Sequence, residues 1–100
     1  MPPLSQTKQH AVNNVSTNTF FVLMAEFGSV TIELEKICDR YFGMCPKKAD
    51  QEAARTRLPV PTFRAGSQKS PRLVHLRDLA EHIDKCRQAA ADEWRKIQTA

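Results

Sequence analysis

Leu34, Ile37, Cys38, Tyr41 and Phe42 fall at i, i+3, i+4, i+7 and i+8, which is one apolar face of a short helix. Gly43 closes that stripe, and the break Gly43-Met44-Cys45 leads straight to Pro46. Proline suits the first helical position, because its missing N–H would have no partner there. A second helix is therefore expected from Lys47 to about Arg57, with Ala49 and Ala53 as its inner face and Thr56 beside them. Small inner residues let it approach the first helix closely, while Lys47, Gln51 and Arg55, spaced four apart, lie on its opposite face. Leu58-Pro59-Val60-Pro61 ends it, since neither proline can continue a helix. A pair of short helices joined by so tight a break leaves few folds open.

The flanking segments extend this picture. Thr19 to Phe27 reads as a helix, with Asn18 or Thr19 as its cap, good helix formers at Leu23 to Glu26 and Gly28 at its C-terminal end. The rival is a strand turning at Gly28-Ser29. Thr62-Phe63-Arg64 and Arg72-Leu73-Val74-His75 read as alternating strands on either side of a turn-rich loop, Ala65 to Pro71. A final helix is expected over about 76–98, where Leu76, Ile83, Ala90 and Ile97 repeat every seven residues. It would be on the order of 35 Å long, against a radius of gyration near 13 Å for a domain of about 100 residues. Its turns around Trp94 and Ile97 therefore outrun the core, and either fold back on the Phe20 segment or meet a second copy. Residues 1–18 are polar, with apolar residues too scattered to form a face, and read as a flexible arm.

Charge is placed unevenly on this frame. From Ala53 to Arg77 there is no acidic side chain, but there are Arg55, Arg57, Arg64, Lys69, Arg72 and Arg77. Since the whole chain is only +4, the remainder is net negative. A block of cations without acidic neighbours suits a phosphate-bearing surface, or else a plain solvated face. With 26% charged and 41% hydrophobic residues, the 100-residue chain is neither a disordered acidic polymer nor a fibre, and one core is expected. The apolar run from Phe20 to Ala25 is far too short to span a bilayer, and no signal-peptide pattern opens the sequence.

Helix, tight break, helix, strand, basic loop, strand is the layout of a winged helix-turn-helix. The expected fold is mainly α with a small two-stranded wing, an α+β DNA-binding domain over 19–98 with an extended C-terminal helix. Its helix-turn-helix would span about 33–57 and its wing about 62–75. In such a domain the second helix enters the major groove. Arg and Lys donate to guanine O6 and N7, and Gln pairs with adenine N6 and N7. The residues assigned to DNA are Lys47, Lys48, Gln51, Arg55 and Arg57 on or just after that helix, and Arg64, Gln68, Lys69, Ser70 and Arg72 in and around the loop. Asp50 and Glu52 fit poorly beside phosphate unless they point aside. The plainer alternative is a surface helix with ordinary pairs such as Lys48 with Glu52.

Particular stretches point further. Thr19 to Phe27, Tyr41-Phe42-Gly43, Leu58 to Arg64, Gly66 to Lys69 and Val74 to Asp84 together resemble the pyocin activator protein family, PrtN, over about two thirds of the chain. The resemblance implies a bacterial or prophage transcriptional activator that binds double-stranded DNA upstream of bacteriocin or phage-tail genes. It would act in the cytoplasm at the nucleoid, with RNA polymerase as a further partner. The wider layout is similar to excisionase and MerR-type domains. The sequence departs from the pattern at Cys45, where a better helix cap such as Ser would be expected, and in the N-terminal arm. Two other functions remain open: an excisionase-like factor that bends DNA, and a protein-binding adaptor gripping its partner with Phe20, Phe21 and the Trp94 helix.

Cys38, Cys45 and Cys86 are odd in number and include no CxxC, which argues against a disulfide framework and suits a reducing compartment. His82 and Cys86 lie one turn apart, and with Cys38 and Cys45 they form a zinc set on paper; inert buried thiols are the expectation for Cys38 and Cys86. His75 reads as a capping or core-edge residue. No nucleophile-with-base pattern, phosphate-cradling glycine loop or HExxH occurs. No enzyme activity, cofactor, metal or membrane is expected, and a homodimer would form through Trp94 and Ile97.

Overall fold

The computed structural model describes residues 17–99. It is mainly helical, with a small antiparallel sheet. Helix α1 covers 17–27 among the described residues, and its buried stripe begins with Phe20 and Leu23. Gly28 ends it at φ 74°, donating its N–H to the Met24 carbonyl at 2.7 Å. A Cβ at Gly28 would meet nothing within 4 Å, so the left-handed backbone, and not crowding, favours glycine here. The helical reading of Thr19–Phe27 thus holds over its strand rival. The arm expected over 1–18 lies outside the described residues except at positions 17 and 18, which are helical.

Strand β1, Thr31–Glu33, follows at once and runs into helix α2, Leu34–Phe42. Helix α3 is Pro46–Ala54, strand β2 is Leu73–His75 and helix α4 is Leu76–Thr99. In α2 the apolar stripe buries Leu34, Ile37 and Cys38. Gly43, at φ 65°, donates to the Asp39 carbonyl, and the chain re-enters a helix at Pro46 without a capping side chain from Cys45. Ala49 and Ala53 are the buried face of α3, and their small size lets α3 sit tightly on α2.

The end of α3 corrects the expectation. The helix stops at Ala54, short of Arg57, and Thr56 is exposed, not inward. Thr56 adopts φ 53°, a left-handed value uncommon for a β-branched residue, while the Arg57 N–H returns to the Glu52 carbonyl at 2.8 Å. Backbone geometry ends this helix before the prolines are reached.

The sheet also differs from the expected pair of strands. β2 pairs with β1, in the register Thr31↔His75, Ile32↔Val74 and Glu33↔Leu73. The expected strand at 62–64 contracts to a single bridge, Phe63↔Leu73, closed by two hydrogen bonds of 3.0 and 2.7 Å. β2 is therefore central, with Val74 fully buried beneath it. Flanking bonds from the Leu34 N–H to the Arg72 carbonyl and from the Leu76 N–H to the Val30 carbonyl tie the helix starts to the sheet.

Helix α4 contributes Leu76, Leu79 and Ala80 to the core, all fully buried. His75 caps its start, where Nδ1 accepts the Arg77 N–H at 3.1 Å, and the imidazole stacks on Phe20. Thr19 donates to Asp84 at 2.8 Å, joining α1 to α4. Beyond Asp84 the helix leaves the core: every residue over 85–98 is exposed except the half-buried Ala91. Among the described residues no helix is long and apolar enough to cross a membrane.

Candidate nucleic-acid interface

Burial of Ala49 and Ala53 fixes the roll of α3. At about 100° per residue the opposite side of the helix presents Lys47, Lys48, Gln51 and Arg55, and all four are exposed. Arg57, just past the helix, is exposed as well. Glu52 lies on the helix edge, 3.9 Å from Arg55.

The basic loop sits beside the N-terminal end of this helix. A cleft of about 240 Å³ is lined by Glu35 of α2, Pro46 and Asp50 of α3, and Arg64, Lys69 and Arg72 from the loop and its flanks. Gln68 and Lys69 at the tip are exposed. The tip is shaped by the Ser70 N–H bonding to the Ser67 carbonyl at 2.9 Å and the Lys69 N–H bonding to Ser67 Oγ at 3.2 Å. Residues far apart in sequence thus meet along one side: the first turns of α3 and the loop tip.

Three of the ten assigned residues are held in contacts at the loop, and a fourth, Arg55, pairs loosely with Glu52. Arg72 Nε donates to Asp50 Oδ1 at 2.8 Å, and its side chain is only 19% exposed. Arg64, 28% exposed, lies 3.8 Å from the same carboxylate oxygen and donates its other terminal nitrogen to the Ser70 carbonyl. Ser70 itself is half-buried. Asp50, out of place on sequence grounds, is the group that binds the loop to the helix. A pairing across 22 residues leaves no local pattern, so sequence reading had no signal for it.

The cation-rich window consequently divides by task. Arg64 and Arg72 are held internally, and Arg77 lies over the Phe20 ring at 4.9 Å from its centroid. Arg55, Arg57 and Lys69 are the members that face outward. With Lys47 and Lys48 they make five exposed cations around α3 and the loop.

The thiols and histidines do not converge. Cys38 is buried and its thiol faces the Glu35 carbonyl, whereas Cys86 and His82 lie 3.6 Å apart on the exposed flank of α4. Among the described residues no three His, Cys, Asp or Glu side chains gather where a metal ion could be held. Phe20 is part of the core, which removes it from the surface an adaptor would need; Phe21 is exposed.

A family model described as "Pyocin activator protein PrtN" matches residues 19–90, from early in α1 to the exposed part of α4. No curated protein and no solved structure matches the chain significantly.

Proposed function

Because the chain belongs to the pyocin activator protein family, we propose that it is a transcriptional activator that works by binding double-stranded DNA upstream of bacteriocin or prophage genes. In this reading α3 lies in the major groove, with Gln51 and Arg55 facing base edges, and the 65–71 loop follows the adjacent backbone as a wing. The observation that carries it is the exposure of Lys47, Lys48 and Gln51 on one face of α3 and of Arg55 at its C-terminal cap, with Lys69 exposed on the loop that meets the Pro46–Asp50 edge of the helix. The order of elements supports it too, since β1 before the helix pair joins the strand that returns from the loop. The role is binding and regulation, without a reaction of its own, at the nucleoid in the cytoplasm, where RNA polymerase is the partner an activator must meet.

The test is titration of a labelled duplex of about 20 base pairs at rising salt. With Arg55 at the base edges, Lys47, Lys48, Arg57 and Lys69 are left for phosphate, and four such contacts give an expected slope of log K against log salt of about −3.6. Absence of duplex binding at low salt would sink the proposal.

The exposed half of α4 supplies a second contact. Trp94 is 61% and Ile97 67% exposed, one turn apart on a helix already clear of the core, with Ala90 on the same stripe. A second copy packing along this stripe would give a two-fold protein suited to two half-sites. Sedimentation should report a dimer, and Trp94→Ala with Ile97→Ala should yield a folded monomer. A monomeric wild type at micromolar concentration would exclude this partner.

A further inference from the structure

We infer that Asp50 is a positioning residue of the proposed interface: it pins the basic loop to α3 and withholds Arg64 and Arg72 from phosphate. This inference rests on the DNA-binding reading, and it changes which cations that reading can use.

Asp50 follows the buried Ala49, so it projects from the edge of α3 toward the loop and not along the outward face. Its Oδ1 accepts from Arg72 Nε at 2.8 Å and faces Arg64 at 3.8 Å. Both arginine side chains are largely shielded, whereas the Asp50 side chain is 61% exposed. An approaching phosphate therefore finds an exposed carboxylate beside two arginine side chains that are less exposed than it is. Arg64 also donates to the Ser70 carbonyl, so a single carboxylate holds both flanks of the loop and, through Arg64, its far end. Within the loop Gly66 lies close to Ser70, where a Cβ would stand 2.5 Å from Ser70 Oγ.

The cleft is lined by Arg64, Lys69 and Arg72 against Glu35 and Asp50, so it carries a small positive balance. Two arginines that sequence alone would assign to DNA are already neutralised in part. Lys69 remains as the loop's outward cation, at a distance from α3 that the Asp50 contacts set. The carboxylate thereby limits sequence-independent attraction and keeps the loop in register with the helix. Specific binding then depends on the α3 face and not on bulk charge.

Asp50→Asn removes the charge and keeps the shape; Asp50→Glu keeps the charge. On a mixed-sequence duplex of about 20 base pairs, Asp50→Asn should bind about tenfold more tightly at 50 mM salt, with a log–log salt slope steeper by about one. It should also elute later from immobilised heparin. Amide hydrogen exchange over 64–72 should quicken in Asp50→Asn and stay near wild type in Asp50→Glu. An unchanged or shallower slope, with unchanged heparin elution and loop exchange, overturns the inference. Should Asp50→Asn fail to fold, Arg64→Gln with Arg72→Gln serves instead. With Asp50 in place those arginines release few counterions, so a slope close to wild type is expected, and a loss of about two overturns the inference. Failure of wild-type protein to bind duplex would strike the DNA reading alone, because heparin elution and loop exchange judge Asp50 without DNA.

Discussion

Ile37→Ala should destabilise the protein by about 2–5 kcal/mol, among the largest losses any single substitution here can cause. Ile37 is 1% exposed in the middle of α2 and belongs to the buried cluster that joins α2, α3 and the base of α4. Its replacement loses the transfer energy of three carbons and leaves a cavity that closely packed neighbours cannot fill. The effect is amplified by the shortness of what surrounds it. Helices α2 and α3 have nine residues each, below the length at which isolated helices persist in water, so packing alone keeps them formed. Small domains hold only about 5–15 kcal/mol in total. A urea titration followed by far-ultraviolet circular dichroism should show the midpoint falling by roughly 2 M or more, for an m-value of about 1 kcal/mol/M. Ile37→Val, which removes one methyl, should lose only about 0.5–1.5 kcal/mol. If the alanine variant lost less than 1 kcal/mol, α2 could not be seated on α3 as described.

The same residue shows why part of this fold was legible beforehand. The α2 stripe, the break at Gly43 and the restart at Pro46 are local signals, and each is set by chemistry within one or two turns of its position. The C-terminal helix was equally plain, expected over about 76–98 and found at Leu76–Thr99. Strand β1 was not foreseen, although Val30, Thr31 and Ile32 are all β-branched. Three residues are too few to show an alternation, and β1 exists because β2, some forty positions on, offers it an edge. The expected 62–64 strand failed for the converse reason. Only Phe63 reaches β2, while Arg64 turns away to Asp50 and the Ser70 carbonyl.

The interface divides along the same line. Which side of α3 faces outward follows from Ala49 and Ala53, two small apolar residues four apart, so Lys47, Gln51 and Arg55 could be placed from spacing alone. The fate of Arg64 and Arg72 could not, because a carboxylate on another element decides it. Local periodicity fixes orientation. Long-range ion pairs decide which charges remain for a partner.

That division yields the strongest test of the interface. Replacing Lys47, Lys48 and Arg55 together by Gln should weaken duplex binding on the order of 10²–10³-fold at 0.1 M salt and flatten the log–log slope by two to three. All three side chains are exposed, and none lies in the core, so helix content and the urea midpoint should hold. Glu52, 19% exposed, loses an Arg55 neighbour 3.9 Å away whose own side chain is 61% exposed, a loose pair worth about 1 kcal/mol at most. Lys69→Gln alone should flatten the slope by about one and weaken all sequences alike, since a backbone contact carries no base information. Gln51→Ala should instead change which sequences are preferred, by ~1–3 kcal/mol at the affected base pair, with little change in salt slope. These three signatures are independent, and they assign roles to the elements separately. If Lys69→Gln altered sequence preference while Gln51→Ala altered only the slope, the loop would be reading bases and α3 would be tracking the backbone.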